Sequence, residues 1–193
     1  MIDKEVKKYF ALSQFQEEEK WLTDMHKDGW EFCSTTGRKY RFKECKKEDW
    51  VYQLDYKEDD VDRREYVQMY RDYGWECVYQ YKQWYYFRKK KEGSLTEDLT
   101  IFSDDKSKAE MCKKILRKQS YGMIPFYIYV LGYNYITFFT DLFQKGTFFH
   151  GLLIGVAIGV MLIAVYRFGY FIAESGKLNK LIQEWENPIF EKK

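Results

Sequence analysis

From Phe149 to Ala173 the chain reads FHGLLIGVAIGVMLIAVYRFGYFIA, more than twenty residues in which only Arg167 carries a permanent charge. A helix of that length crosses about 30 Å of hydrocarbon. A helix is also the form in which a single segment satisfies its own backbone polar groups inside lipid. A second apolar segment, GMIPFYIYVLGYNYITFFTDLF at 122–143, is interrupted by Pro125, Asn134 and several tyrosines. Only QKGTF separates the two, so the expectation is a tight two-helix transmembrane hairpin with spans at about 122–143 and 149–173.

Basic residues set the expected orientation. Lys113, Lys114, Arg117 and Lys118 precede the first span and Lys177 and Lys180 follow the second, while the hairpin offers only Lys145. The positive-inside bias then places both ends of the chain in the cytoplasm, and the N-terminal stretch does not read as a secretory signal. Gly151, Gly155 and Gly159 recur every four residues, a ridge of small residues that lets a second helix approach closely. Its partner is either the first span or the same face of another copy. Arg167 lies near the cytoplasmic end, from which its side chain can snorkel. Asp141 marks the outer interface, and with Asn134 it supplies too few polar groups for a transport path.

Charge is partitioned along the chain. Residues 1–100 hold 20 Lys and Arg against 22 Asp and Glu, and residues 101–120 hold six against three. Positive charge therefore collects beside the apolar region, which favours anionic lipid headgroups over nucleic acid as the partner. FSDDKSKAEMCKKILRKQ, within the juxtamembrane segment 101–121, reads as a basic helix with Ser103 as its N-cap. In the tail, 174–193, Leu178, Leu181, Ile182 and Trp185 form an amphipathic stripe. Cys33, Cys45, Cys77 and Cys112 form no CxxC pair, and His26 and His150 are the only histidines, so the reading is reduced thiols and no metal site.

The domain at 1–100 is written twice. DGWEF at 28–32 and YGWEC at 73–77 fix an offset of 45 residues. At that offset Val6 falls on Val51, Trp21 on Tyr66, Leu22 on Val67, Tyr40 on Tyr85, Phe42 on Phe87 and Lys43 on Arg88. The repeats are 6–43 and 51–88. Each reads as strand, helix, strand, strand, with Gly29 and Gly74 as left-handed helix C-caps. Trp30 and Trp75 then begin the returning strand, with their rings expected in the helix–sheet interface. Glu31 and Glu76 are expected on the opposite face as an exposed pair. His26, on the polar side of its helix, is expected to be solvated.

Two βαββ units of this kind predict an α+β fold, a ferredoxin-like antiparallel sheet with both helices on one face. Tyr79, Tyr81, Tyr85 and Phe87 make the other face aromatic. It is either a ligand or partner surface or the seat of a second packed layer, supplied by residues 95–118 or a sister subunit.

The order EEEKWLTDMHKDGWEF, KYRF, VYQLDY, YVQMYRDYGWECVY, WYYFRK and IFSDDKSK resembles a family of uncharacterised bacterial membrane proteins, described as a domain of unknown function. The likeness covers about residues 8–115. It implies genes neighbouring PadR-like regulators, C-terminal spans, and a regulatory or stress-related role, and carries over no functional residues. The functional expectation is a membrane-anchored cytosolic interaction or sensing module, a homo-oligomer or the partner of another membrane protein. The alternatives are an accessory subunit of a larger membrane complex and a tethered RNA-binding domain. No catalytic residue or cofactor is expected, since no phosphate loop, nucleophile elbow or metal motif occurs.

Overall fold

The structure is a computed structural model that describes residues 3–57, 62–91, 101, 105–143 and 148–186, without the side chains of 137–143, 148–150 and 153–154. Ser103, Lys145, the hairpin connection 144–147 and the tail beyond 186 lie outside the described residues, as do the side chains of Asp141 and His150. The chain divides into two compact units, Met1–Met111 with Ile182–Lys193, and Cys112–Leu181.

The first unit is α+β. Its strands are β1 (Lys4–Lys7), β2 (Trp30–Thr35), β3 (Lys39–Glu44), β4 (Trp50–Tyr56), β5 (Glu76–Tyr81) and β6 (Trp84–Lys90). A 3-10 turn at Leu12–Gln14 leads into α1 (Phe15–Lys27), and α2 (Arg63–Asp72) follows β4. The strands form two three-stranded antiparallel sheets, ordered β1-β3-β2 and β4-β6-β5, where the sequence reading expects one continuous ferredoxin-like sheet. Strand propensity does not encode which edges join, because that choice is made by contacts between distant segments.

Several features recur 45 residues apart. Gly29 and Gly74 end α1 and α2 with φ of +92° and +82°. Their N–H groups donate to the carbonyls of His26 and Arg71 at 2.9 Å. The turn into β3 has Gly37 at φ +79°, and the turn into β6 has Lys82 at φ +54°. The β2–β3 register shifts between Phe32 and Ser34, and the β5–β6 register between Cys77 and Tyr79. Trp21 meets Tyr40 edge-on at 5.0 Å, as Tyr66 meets Tyr85 at 4.9 Å.

The first strands break the offset. Tyr40 pairs with Val6, whereas Tyr85 pairs with Asp55 and not with Val51. From Val6 to Trp21 the chain is four residues longer than from Asp55 to Tyr66, and the 3-10 turn lies in that extra length.

The helices do not share a face of the second sheet. Tyr66 and Tyr70 of α2 pack on Tyr85 and Phe87. Glu18 of α1 meets Tyr86, which points the other way in the alternation. The side chains of α1 reach Tyr40 and Phe42 of the first sheet as well. Phe32 completes the layer by touching Tyr52, Tyr79 and Tyr86. Helix α1 is thus enclosed on two sides.

The second unit holds most of α3 (Asp105–Phe143) and of α4 (Phe148–Glu186), which run antiparallel. The Tyr127 hydroxyl donates to the Ala164 carbonyl at 3.2 Å, Tyr127 meets Phe168, and the Arg167 guanidinium lies over Phe126. Among the described residues one stretch, Gly155–Glu186, is long and apolar enough to cross a membrane, where the sequence reading expects two. The apolar half of α3 falls short because Pro125, Asn134 and the tyrosines lower its hydropathy. Asn134 donates to the Val130 carbonyl at 2.7 Å, so its amide is spent within the helix.

Candidate functional site

Enclosure of α1 gives it a second buried stripe made of polar residues. Glu18, Glu19, Thr23 and His26 fall along one side of the helix and meet the second sheet. Among the described residues strand β4 has no strand partner on the edge away from β6, and α1 supplies the missing acceptors. The Tyr52 N–H donates to Thr23 Oγ1 at 3.1 Å, and the Leu54 N–H donates to Glu19 Oε1 at 2.7 Å. A buried N–H left without an acceptor would cost about 1–3 kcal/mol, so these two bonds close that edge.

Three carboxyls flank this sheet, Glu18 and Glu19 on the α1 side and Asp55 on the α2 side. Glu18 Oε1 accepts from the hydroxyls of both Tyr40 and Tyr86 at 2.8 Å. Asp55 accepts from the hydroxyls of Tyr66 and Tyr70 and from the Tyr56 N–H. Burial raises the pKa of Glu18, while its two tyrosines act in the opposite direction. Burial likewise raises that of Asp55 against the pull of Tyr66, Lys57 and the Tyr56 N–H. Glu19 is pushed up to about 8, by burial first and then by the neighbouring carboxyls of Glu18 and Asp55. Each is thereby held toward its neutral form, the usual response of a carboxyl out of water.

A second cluster joins the two Gly-Trp-Glu segments. Arg88 contacts Glu31 at 2.6 Å and Glu76 at 2.7 Å, and Lys43 contacts the same Glu31 at 3.0 Å. Glu31 and Glu76 are the third members of the two Gly-Trp-Glu triplets, and Lys43 and Arg88 are likewise 45 residues apart. The guanidinium also lies over the Trp50 ring at 4.6 Å, and the His26 ring stacks on Trp50 with centroids 5.6 Å apart. His26 is buried, with Nδ1 hydrogen-bonded to the Tyr52 hydroxyl at 2.8 Å. Burial, followed by the nearby Arg88 charge, lowers the His26 pKa. Burial alone would raise Glu31, and its bonds to Lys43 and Arg88 bring it below the ordinary value.

Chemically this is a set of acids, a base and a cation whose polar atoms are committed to one another. A general acid or base needs an open approach for substrate. Here the imidazole, three carboxyls and five tyrosine hydroxyls face internal partners. Among the described residues no group of three or more His, Cys, Asp or Glu is arranged to hold a metal ion.

Residues 14–124, more than half of the chain, match the model of a family described as protein of unknown function (DUF2812). The chain belongs to the DUF2812 family. The DUF2812 segment begins just before α1 and ends within α3, so it contains every residue of the two polar clusters. Strand β1 and helix α4 lie outside it. No curated protein and no solved structure matches the chain.

Within the DUF2812 segment the sequence-predicted site residues separate. Tyr85 and Phe87 are buried beneath α2 in a cluster with Tyr66, Tyr70, Trp75 and Ile101. Ile101 belongs to the 95–118 segment proposed as a covering layer, and its N–H donates to Gln53 Oε1 at 2.7 Å. Tyr79 and Tyr81 lie on the opposite face, half-buried, with Tyr79 edge-on to Phe32 and Tyr81 against Gly37. The register shift after Cys77 breaks the alternation that would have put all four together.

Trp75 is buried in that α2 cluster as expected, whereas Trp30 is half-buried under the Lys4 ammonium at 4.5 Å. Glu31 is not the exposed carboxylate expected, nor is His26 solvated. The missed signal is the stripe Glu18, Leu22, His26 with Glu19 and Thr23 beside it, four-residue spacing on what reads as a solvated face. Outside the family segment, Gly151, Gly155 and Gly159 have nothing among the described residues within 4 Å of where a Cβ would stand. Among the described residues α3 meets α4 at Ala164, through the Tyr127 hydroxyl.

Proposed function

We propose that the protein is a membrane-anchored, non-catalytic interaction module, held by α4 with the apolar half of α3 alongside it as a second pass. The observation that carries this reading is the outer surface of α4. Ile158, Met161, Leu162, Ile163, Val165 and Ile172 are each more than half exposed on a helix of membrane-spanning length. Side chains of that size in water would form an apolar patch far beyond what a soluble monomer carries. The basic residues at 113–118 and at 177 and 180 support an orientation with both ends cytoplasmic.

The rest of the reading concerns the α+β unit. Its features recurring 45 residues apart support a duplicated βαββ unit, closed by the Lys43–Glu31–Arg88–Glu76 chain of charges. Commitment of its acids and of His26 to internal partners supports a binding role over catalysis. The uncovered glycine ridge supports packing against a second copy or another membrane protein, which is where the accessory-subunit reading gains its weight. RNA binding loses its platform with the burial of Tyr85 and Phe87.

Sealed vesicles from expressing cells test the anchor and its topology. The chain is expected to stay in the pellet after alkaline carbonate. Single-cysteine variants at Lys8 and Lys180 are expected to react with a membrane-impermeant maleimide only when the cytoplasmic side is exposed. Release by carbonate overturns the anchor. Labelling of the two positions from opposite sides overturns the second pass.

A further inference from the structure

We propose that the groove along α2 binds the phosphate group of a small soluble phosphoester. The groove has a volume of about 500 Å³ and is lined by Arg63, Arg64, Val67, Gln68, Arg71 and Cys77. That volume lies within the range of small-molecule sites, about 300–1,000 Å³. Positions 63, 67 and 71 follow one another a helical turn apart, with 64 and 68 beside them, so the groove follows the whole helix on its β5 side.

Among the described residues its charge is uncompensated. Lys39 and Arg41, by contrast, share Glu5, and Lys90 has Glu48. Among the described residues Arg63 and Arg64 have no carboxylate partner, and Arg71 meets only the neutral Gln68 amide at 3.3 Å. Two acids at the ends of the same helix are turned to other uses. Asp62 caps the Arg64 N–H at 2.8 Å, and Asp72 accepts from Gln68 at 2.7 Å. Arg63 and Arg64 also occupy the first turn, the end of a helix where cations are disfavoured. A dianion held between the guanidiniums relieves both costs, and the fork geometry of arginine suits phosphate oxygens. Val67 and the half-buried Cys77 give the groove an apolar floor on which the carbon part of an ester can rest. This proposal goes beyond the membrane-anchored module and does not depend on it.

The test is calorimetric titration of the full chain in detergent micelles with inorganic pyrophosphate, alongside vesicles of phosphatidylcholine with and without phosphatidylglycerol. Saturable pyrophosphate binding is expected. The pair Arg64→Gln and Arg71→Gln is expected to weaken it about tenfold or more, Arg71→Lys to weaken it less, and Lys46→Gln with Lys47→Gln to leave it unchanged. Pyrophosphate is also expected to slow alkylation of Cys77, followed by mass spectrometry, in the parent and not in the double variant. Absence of saturable binding, or equal binding by the double variant, overturns the proposal. Arginine-dependent binding to phosphatidylglycerol vesicles with no response to pyrophosphate overturns the soluble source and assigns the groove to a lipid headgroup.

Discussion

Replacing Glu19 by Gln should flatten the pH dependence of folding. In the native protein the Glu19 carboxyl is pushed from the ordinary 4.5 up to about 8, chiefly by burial. In the unfolded chain it ionises near its ordinary value. Between those two values unfolding releases a proton, so the contribution is present in full below about 4.5 and is lost as pH rises toward 8. From about pH 5.5 to about pH 8.5 the loss comes to about 3 kcal/mol, a large part of the margin that holds a domain of this size together. Glutamine keeps an oxygen for the Leu54 N–H and has no proton to lose. The assay is urea unfolding of the full chain in micelles, followed by tryptophan fluorescence, at both pH values for parent and variant. Glu18 and Asp55 are also raised by burial and lose stability in the same direction. They persist in the variant, so the quantity to read is the difference between the two chains. If parent and Glu19→Gln lose the same stability over that interval, the carboxyl is not held neutral and the enclosed placement of α1 is wrong.

Four further perturbations follow from the structure. Arg88→Met removes the cation shared by Glu31 and Glu76 and should cost about 3–5 kcal/mol, measured by chemical unfolding, because half-buried Glu31 is left with Lys43 alone. Lys82→Gly should stabilise by about 1 kcal/mol in the same measurement, since residue 82 has φ +54° where its counterpart at 37 is glycine. Below about pH 6.5 the buried His26 works against the carboxyls: its lowered pKa means that stability is lost as pH falls, and His26→Gln should reduce that loss. Gly155→Leu should reduce self-association, read by crosslinking in native membranes, and should leave the α3–α4 contact at Tyr127 and Ala164 intact.

What the sequence made legible was local and stereochemical. Gly29 and Gly74 could be placed because a left-handed residue after a helix asks for glycine, and both carry positive φ. The span in α4 could be placed because hydropathy over a long window needs no tertiary information. The grouping of Tyr79 and Tyr81 with Tyr85 and Phe87 failed on a single residue, Val78, which the β5–β6 register skips. Period-2 reasoning has no access to such a bulge. His26 and Glu18 failed for a different reason. A polar residue on the far side of an amphipathic helix reads as solvated, and the partners that bury it, Tyr52 and Tyr86, lie 26 and 68 residues away in the chain.

The same contrast explains why the two proposed repeats are alike and yet not interchangeable. Trp21 and Tyr66 each pack edge-on against the third strand of their own repeat, a relation one unit could hold alone. Helix α1 does something α2 does not: it carries acceptors to the bare edge of β4 and a carboxyl to Tyr86, both in the other repeat. At the Gly-Trp-Glu sites the asymmetry is sharper still. Lys43 reaches only the glutamate of its own repeat, whereas Arg88, 45 positions on, spans both. A lysine ammonium is a single point of charge, while a guanidinium can offer separate N–H groups to two carboxylates. The difference between residues 43 and 88 is therefore what lets one segment grip the other, and exchanging them, Lys43→Arg with Arg88→Lys, should weaken the joint although total charge and composition are unchanged.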